Sequence, residues 1–167
     1  MSTVEHDYLS EDLHPIDIVE TLAERHEWDF DRVADDQIAM AIEGSWRTYS
    51  LTLAWSGYDE TLRMICAFDL DPGEKDLAGL YHTLERANDK IWSGAFTLWT
   101  SQKLMVFRYG LNLAGGASAS PDQIVDMVST AVNACERFFP AFQLVLWNDE
   151  EPEKALEIAM TDAFGRA

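Results

Sequence analysis

Apolar positions recur every three or four residues at the start of this chain, switch to every second residue, and return to helical spacing twice more. Pro15 suits the first turn of a helix, where a missing N–H is tolerated. Ile16, Val19, Leu22, Ala23 and His26 then mark one stripe of a helix of about 11–12 residues. From Trp28 the period becomes two. Trp28 and Phe30 alternate with Asp29 and Asp31; Ile38, Met40 and Ile42 with Ala39 and Ala41; Tyr49, Leu51, Leu53 and Trp55 with Thr48, Ser50, Thr52 and Ala54; Leu62, Met64, Cys66, Phe68 and Leu70 complete a fourth strand. The links Ala34-Asp35-Asp36, Glu43-Gly44-Ser45 and Ser56-Gly57-Tyr58-Asp59 are short, so the strands form an antiparallel meander.

Asp71-Pro72-Gly73 stops the sheet, and Leu77, Leu80, Tyr81, Leu84, Ala87, Asn88 and Ile91 predict a helix over 74–91. Two strands follow, 95–100 and 103–113, joined by a hairpin turn at Thr100-Ser101-Gln102. After a small-residue loop, Ser120, Pro121 and Gln123 read as an N-cap, first-turn proline and near capping box. Ile124, Val128, Ala131, Cys135 and Phe138 carry the stripe of that helix. The uncharged run Phe138–Trp147 follows, with a bend or fresh start expected at Pro140, because the residue before a proline disfavours helix. Periodicity leaves Ala141–Trp147 open between buried strand and buried helix. Pro152 opens a last helix with Leu156, Ala159, Met160 and Ala163 on one side.

Runs of antiparallel strands with segregated helices define an α+β class: a twisted antiparallel sheet of about five to six strands with helices packed on one face. The other face is expected to carry Asp29, Asp31, Thr48, Ser50 and Thr52, with Ile65 and Val106 among them. The length of 167 residues fits one domain spanning 1–167, with a loosely ordered lead-in over 4–13.

Charge changes this picture more than composition does. The formal net charge is -18, and it is uneven: residues 1–45 carry 13 acids and 2 bases, 46–120 carry 8 and 7, and 121–167 carry 9 and 3. Such a field repels nucleic acid and anionic membrane surfaces, so neither is expected as a partner; it favours a basic partner or simply solubility. The opening residues lack the basic start and apolar centre of an export signal, and a cytoplasmic protein is expected. Cys66 and Cys135, far apart in sequence, fit no metal spacing and read as buried thiols in a reducing compartment.

No catalytic constellation emerges, and no catalytic, cofactor or metal residue is assigned. There is no Gly-x-Ser-x-Gly elbow, and Ser118 and Ser120 read as loop and cap. His6, His14, His26 and His82 show no ligand spacing, and His82 reads as a surface or boundary residue. Asp69, Asp71, Glu74 and Asp76 lack the glycine register and distal Glu of a calcium loop; a strand end and a helix start explain them. Glu150, Glu151 and Glu153 suit the positive end of a helix dipole. The six tryptophans, at 28, 46, 55, 92, 99 and 147, read mainly as core and boundary packing, with some available as interface anchors.

Several stretches carry a family resemblance: Cys135 through Trp147, Pro152 to Leu156, Ala67-Phe68-Asp69, Ile91-Trp92 with Gly94, Phe96 and Trp99, and Trp28 with Phe30-Asp31-Arg32. Together they resemble the YbjN-domain family of bacterial proteins over nearly the whole chain. The family's common Gly-Glu-Ala ending is here Gly165-Arg166-Ala167. The resemblance implies a fold similar to type III secretion chaperones and commonly a homodimer. It also brings the label "putative sensory transduction regulator", and no catalytic residue to carry over.

Three functions follow as expectations. The first is a non-enzymatic, chaperone-like or regulatory protein that binds another polypeptide through its open sheet face or strand edges. The second is a small-molecule sensor or enzyme with a pocket between helices and sheet, near Trp99, Tyr109 or His82. The third is a structural domain kept soluble by its acidic ends.

Overall fold

A computed structural model of the protein describes residues 13–165, with side chains described as far as Thr161. The lead-in expected over 4–13, apart from Leu13, and His6 lie outside the described residues, as do the side chains of the last helical turn, Ala163 included.

The alternating segments form six strands: β1 (Asp29–Ala34), β2 (Gln37–Glu43), β3 (Thr48–Ser56), β4 (Thr61–Asp69), β5 (Ala95–Trp99) and β6 (Leu104–Asn112). They pair antiparallel in the order β1-β2-β3-β4-β6-β5. Four described helices, α1 (Pro15–Arg25), α2 (Ala78–Asp89), α3 (Pro121–Asn148) and α4 (Pro152–Gly165), bury their stripes with one face of this sheet. The α+β reading therefore holds, with helices on one side. Ile38, Leu51, Leu53, Leu62, Met64 and Phe107 from the strands meet Ile16, Leu80, Ile124, Phe138 and Phe142 from the helices in one core cluster.

Sequence expectations need correction in three places. The helix expected over 74–91 spans only Ala78–Asp89. Gly73 takes a left-handed turn with φ +61°, and the Asp76 carboxylate accepts from the Ala78 N–H at 2.9 Å, so the helix begins four residues late, with Leu77 at its N-cap. Tyr81 lies on its outer side; Thr83 takes the inner position, its hydroxyl donating to the Gly79 carbonyl at 2.7 Å. His26 is not on the buried stripe of α1: it caps the helix end, exposed, and stacks on Trp28 with ring centroids 4.8 Å apart.

The third correction concerns Pro140. It neither breaks nor restarts the helix, for α3 runs unbroken over 28 residues with Pro140 inside. An internal proline costs about 3 kcal/mol. Against that, Phe138, Ala141, Phe142 and Leu146 are all buried on one face beyond or beside it, and each large apolar side chain so buried contributes roughly 1.5–3 kcal/mol. Packing outweighs the lost hydrogen bond. Ala141–Trp147 is thus helix, and its end is wet: Trp147 is 56% exposed, so the uncharged run is not covered throughout. The N-terminal end of α3 follows the sequence closely. The Ser120 hydroxyl accepts from the Gln123 N–H at 3.1 Å and the Gln123 side chain accepts from the Ser120 N–H at 2.9 Å, a complete capping box.

Candidate functional site

The sheet face turned away from the helices is read directly from the strand register. One row across it runs Asp29–Ala41–Ser50–Ala67–Val106–Thr97, and the next runs Asp31–Ala39–Thr52–Ile65–Arg108–Ala95. Small side chains make up most of the first row and half of the second, so β2 and β3 present little relief on this face. Ala67 and Val106 are buried at its centre yet stand outside the core cluster on the other face. Ile65, Thr52, Ala39 and Ala41 around them are half-buried, and Ser50, Asp29 and Asp31 are exposed. The acids gather at the β1 end. Arg63, on the same face, pairs with Asp59 at 2.8 Å, and this ion pair holds the Asp59 carboxyl below its usual range.

A second concentration of polar groups lies where the β2–β3 connection meets α3. Cys66 on β4 and Cys135 on α3 bring their sulfurs to 3.7 Å, both buried and both free thiols. Sequence separation hid this meeting; its one signal was that each cysteine falls on the apolar stripe of its own element. Contact with Cys66, then burial, pushes the Cys135 thiol far above its usual range. Burial, then the nearby Glu136 charge, does the same to the Tyr49 hydroxyl. Both groups are held protonated, and a protonated thiol is a poor nucleophile.

Three buried polar atoms there lack a hydrogen-bond partner: Arg47 Nε, Tyr49 OH and Glu136 Oε2. The other Glu136 oxygen accepts from the Ser45 N–H. Gly44 permits this approach, since a Cβ at 44 would collide with the Glu136 carboxylate. The Arg47 guanidinium lies between the rings of Phe68 and Phe139, 5.8 and 5.5 Å from their centroids, and donates to the Asp69 carbonyl at 2.9 Å. This corner is a locked joint between sheet and helix.

The residues named for an interlayer pocket do not converge. Trp99 pairs with Leu104 on the helix-free face, Tyr109 pairs with Met64 on the core face, and His82 sits outside on α2, 3.2 Å from Glu153. That hydrogen bond to His82 holds the Glu153 carboxyl below its usual range. Three of the four acids weighed for a calcium loop have structural partners: Asp69 pairs with Arg47, Asp71 accepts from the Gly73 N–H, and Asp76 accepts from the Ala78 N–H at the start of α2. Among the described residues, no group of three or more His, Cys, Asp and Glu could hold a metal ion, and no helix is long and apolar enough to cross a membrane.

Residues 15–144 match a family described as "Putative bacterial sensory transduction regulator", the YbjN family. No curated protein matches the chain. No solved structure matches it either. The family match covers most of the chain, and the chain belongs to the YbjN family.

Proposed function

We propose that this chain is a non-enzymatic, cytoplasmic regulator that acts by holding another polypeptide against its helix-free sheet face. The observation that carries this reading is the low relief of β2 and β3 beside Ala67 and Val106, flat enough for an extended segment or a helix to lie across. The net charge of -18, with Asp29 and Asp31 at one end of the face, favours a basic segment. The family's regulatory description supports a binding role, and the protonated thiols and locked polar corner support a role without covalent chemistry. Two free thiols within reach of each other suit a reducing compartment.

Photo-crosslinking side chains placed at Ser50 and Thr52, with controls at Glu85 on α2 and Asp126 on α3, test the reading in living cells. Polypeptide adducts concentrated at Ser50 and Thr52 are expected. Adducts equally frequent at the two helix positions, or none on the sheet face, would defeat it. We also propose a homodimer, which sedimentation equilibrium registers as twice the 18.9 kDa chain mass; a strict monomer removes that part.

A further inference from the structure

On the opposite side of the molecule, a cleft of about 360 Å³ opens between the α2–β5 connection and the middle of α3. Lys90, Trp92 and Ser93 line it from the connection, and Thr130, Asn133 and Arg137 from the helix. No carboxylate is among its lining residues. That is unexpected in a chain with 30 acids and 12 bases. The neighbouring clefts follow the general composition: one has Asp76, Asp149 and Glu150 in its wall, the other Asp89, Glu153 and Glu157.

Its two cations, like Arg25, Arg108 and Lys154, also pair with no carboxylate among the described residues. Arg32, Arg47, Arg63, Lys75, Arg86 and Lys103 each face a carboxylate. Among the described residues Lys90 pairs with none, although it also borders the neighbouring cleft that holds Asp89, Glu153 and Glu157; Arg137 donates Nε–H to the Met160 sulfur at 3.2 Å and lies over the Phe138 ring. A thioether is a weak acceptor, so the guanidinium keeps most of its donors for a ligand.

Trp92 is 99% exposed, although its loop is firmly held. The Ile91 N–H donates to the Asn88 carbonyl. The Asn88 amide clamps both backbone groups of Phe96, accepting at 2.7 Å and donating at 3.1 Å. Gly94, at φ +87°, packs where a Cβ would strike the Phe107 ring and the Arg108 carbonyl. An indole presented to water from a clamped loop loses its burial energy without the excuse of mobility, and its face is free for stacking.

We propose that this cleft binds a small anion bearing a planar aromatic group. The aromatic plane stacks on Trp92. The negative group takes Lys90 and Arg137, with Ser93, Thr130 and Asn133 supplying neutral hydrogen bonds. The volume suits a mononucleotide or an aromatic carboxylate rather than a polypeptide segment. The site lies on the helical side, away from the sheet face.

Calorimetric titration of the full chain with AMP, salicylate, adenosine and inorganic phosphate tests this. At least one aromatic anion is expected to bind with a Kd below about 1 mM. Adenosine and phosphate, each holding half of the chemistry, are expected to bind at least about tenfold more weakly. AMP binding against salicylate binding identifies the anion as phosphate or carboxylate. Trp92→Ala and Lys90→Gln alter exposed side chains and leave the melting temperature in place, yet each should weaken the aromatic anion about tenfold. Arg137→Gln should do the same. Failure of both AMP and salicylate to bind overturns the proposal. So does adenosine binding as tightly as AMP, or unchanged affinity in the Trp92→Ala, Lys90→Gln double variant.

Discussion

The two faces of the sheet come from the same strands, residue by residue, and obey different rules. Toward the helices, every second position is large: Tyr49, Leu51, Leu53, Met64, Phe68 and Phe107 interlock with Phe138 and Phe142 of α3. The rings of Phe96 and Phe142 meet edge to face at 5.1 Å, and Phe68 lies 6.4 Å from Phe142. Away from the helices, the positions between them are Ala39, Ala41, Ser50, Thr52 and Ala67. One face gains stability from shape; on the other, truncating an exposed position such as Ser50 removes little. A substitution therefore acts on folding or on recognition according to the parity of its position.

The largest effect that can test this contrast lies at Phe142. It is fully buried and touches aromatic rings from two strands. Phe142→Ala should cost about 3–5 kcal/mol, since the cavity cannot collapse among fixed rings. Urea unfolding gives the value directly. A loss below about 1 kcal/mol would mean that α3 does not lock the core face.

Tyr49 sharpens the contrast, because shape and polarity conflict at this core-face position. Its ring packs edge to face on Phe68 at 5.9 Å, but its hydroxyl is buried without a partner. An unpaired buried polar group costs about 1–3 kcal/mol. Tyr49→Phe should therefore stabilise the protein, by about 1 kcal/mol. The same group predicts an alkaline limit. Burial raises its folded pKa above the unfolded value of about 10. Its contribution is complete below that value and is lost as pH rises through it toward the folded pKa, because only the unfolded chain ionises readily. Denaturation midpoints at pH 8 and pH 11 should fall less in Tyr49→Phe than in the wild-type chain. An equal fall in both would assign the alkaline loss elsewhere.

Much of this was legible in the sequence, and the exceptions share a cause. Period-two runs gave all six strands because each of them has one wet or small-residue face, so the alternation survives in composition. The Ser120–Gln123 capping box was legible because capping is local. Pro140 was misread because a local rule about proline met a tertiary fact, the aromatic packing on either side of it. The meeting of Cys66 with Cys135 depends on how α3 lies over β4, which no local pattern records. The exposure of Trp92 was hidden because tryptophan is usually covered. The open face was anticipated down to Ile65 and Val106. The Lys90–Trp92–Arg137 cleft was not, since it is defined by the carboxylates that are missing from its wall rather than by a motif.

The smallest expected effect on stability is the most informative about the face. Ser50 is exposed on β3, between Ala41 and Ala67 of the flanking strands. A lysine there has small neighbours on both sides, can extend into water, and removes no contact. Ser50→Lys should therefore leave unfolding free energy within about 0.5 kcal/mol of the wild-type chain. Recognition should respond quite differently. The new side chain stands across the flat row, and its charge repels a basic segment, so crosslinks from Thr52 to the captured polypeptide should disappear. Loss of crosslinking with unchanged stability separates the two faces cleanly. A destabilisation comparable to that of Phe142→Ala would show instead that Ser50 lies under cover, and the distinction between a packed face and an open one would fall.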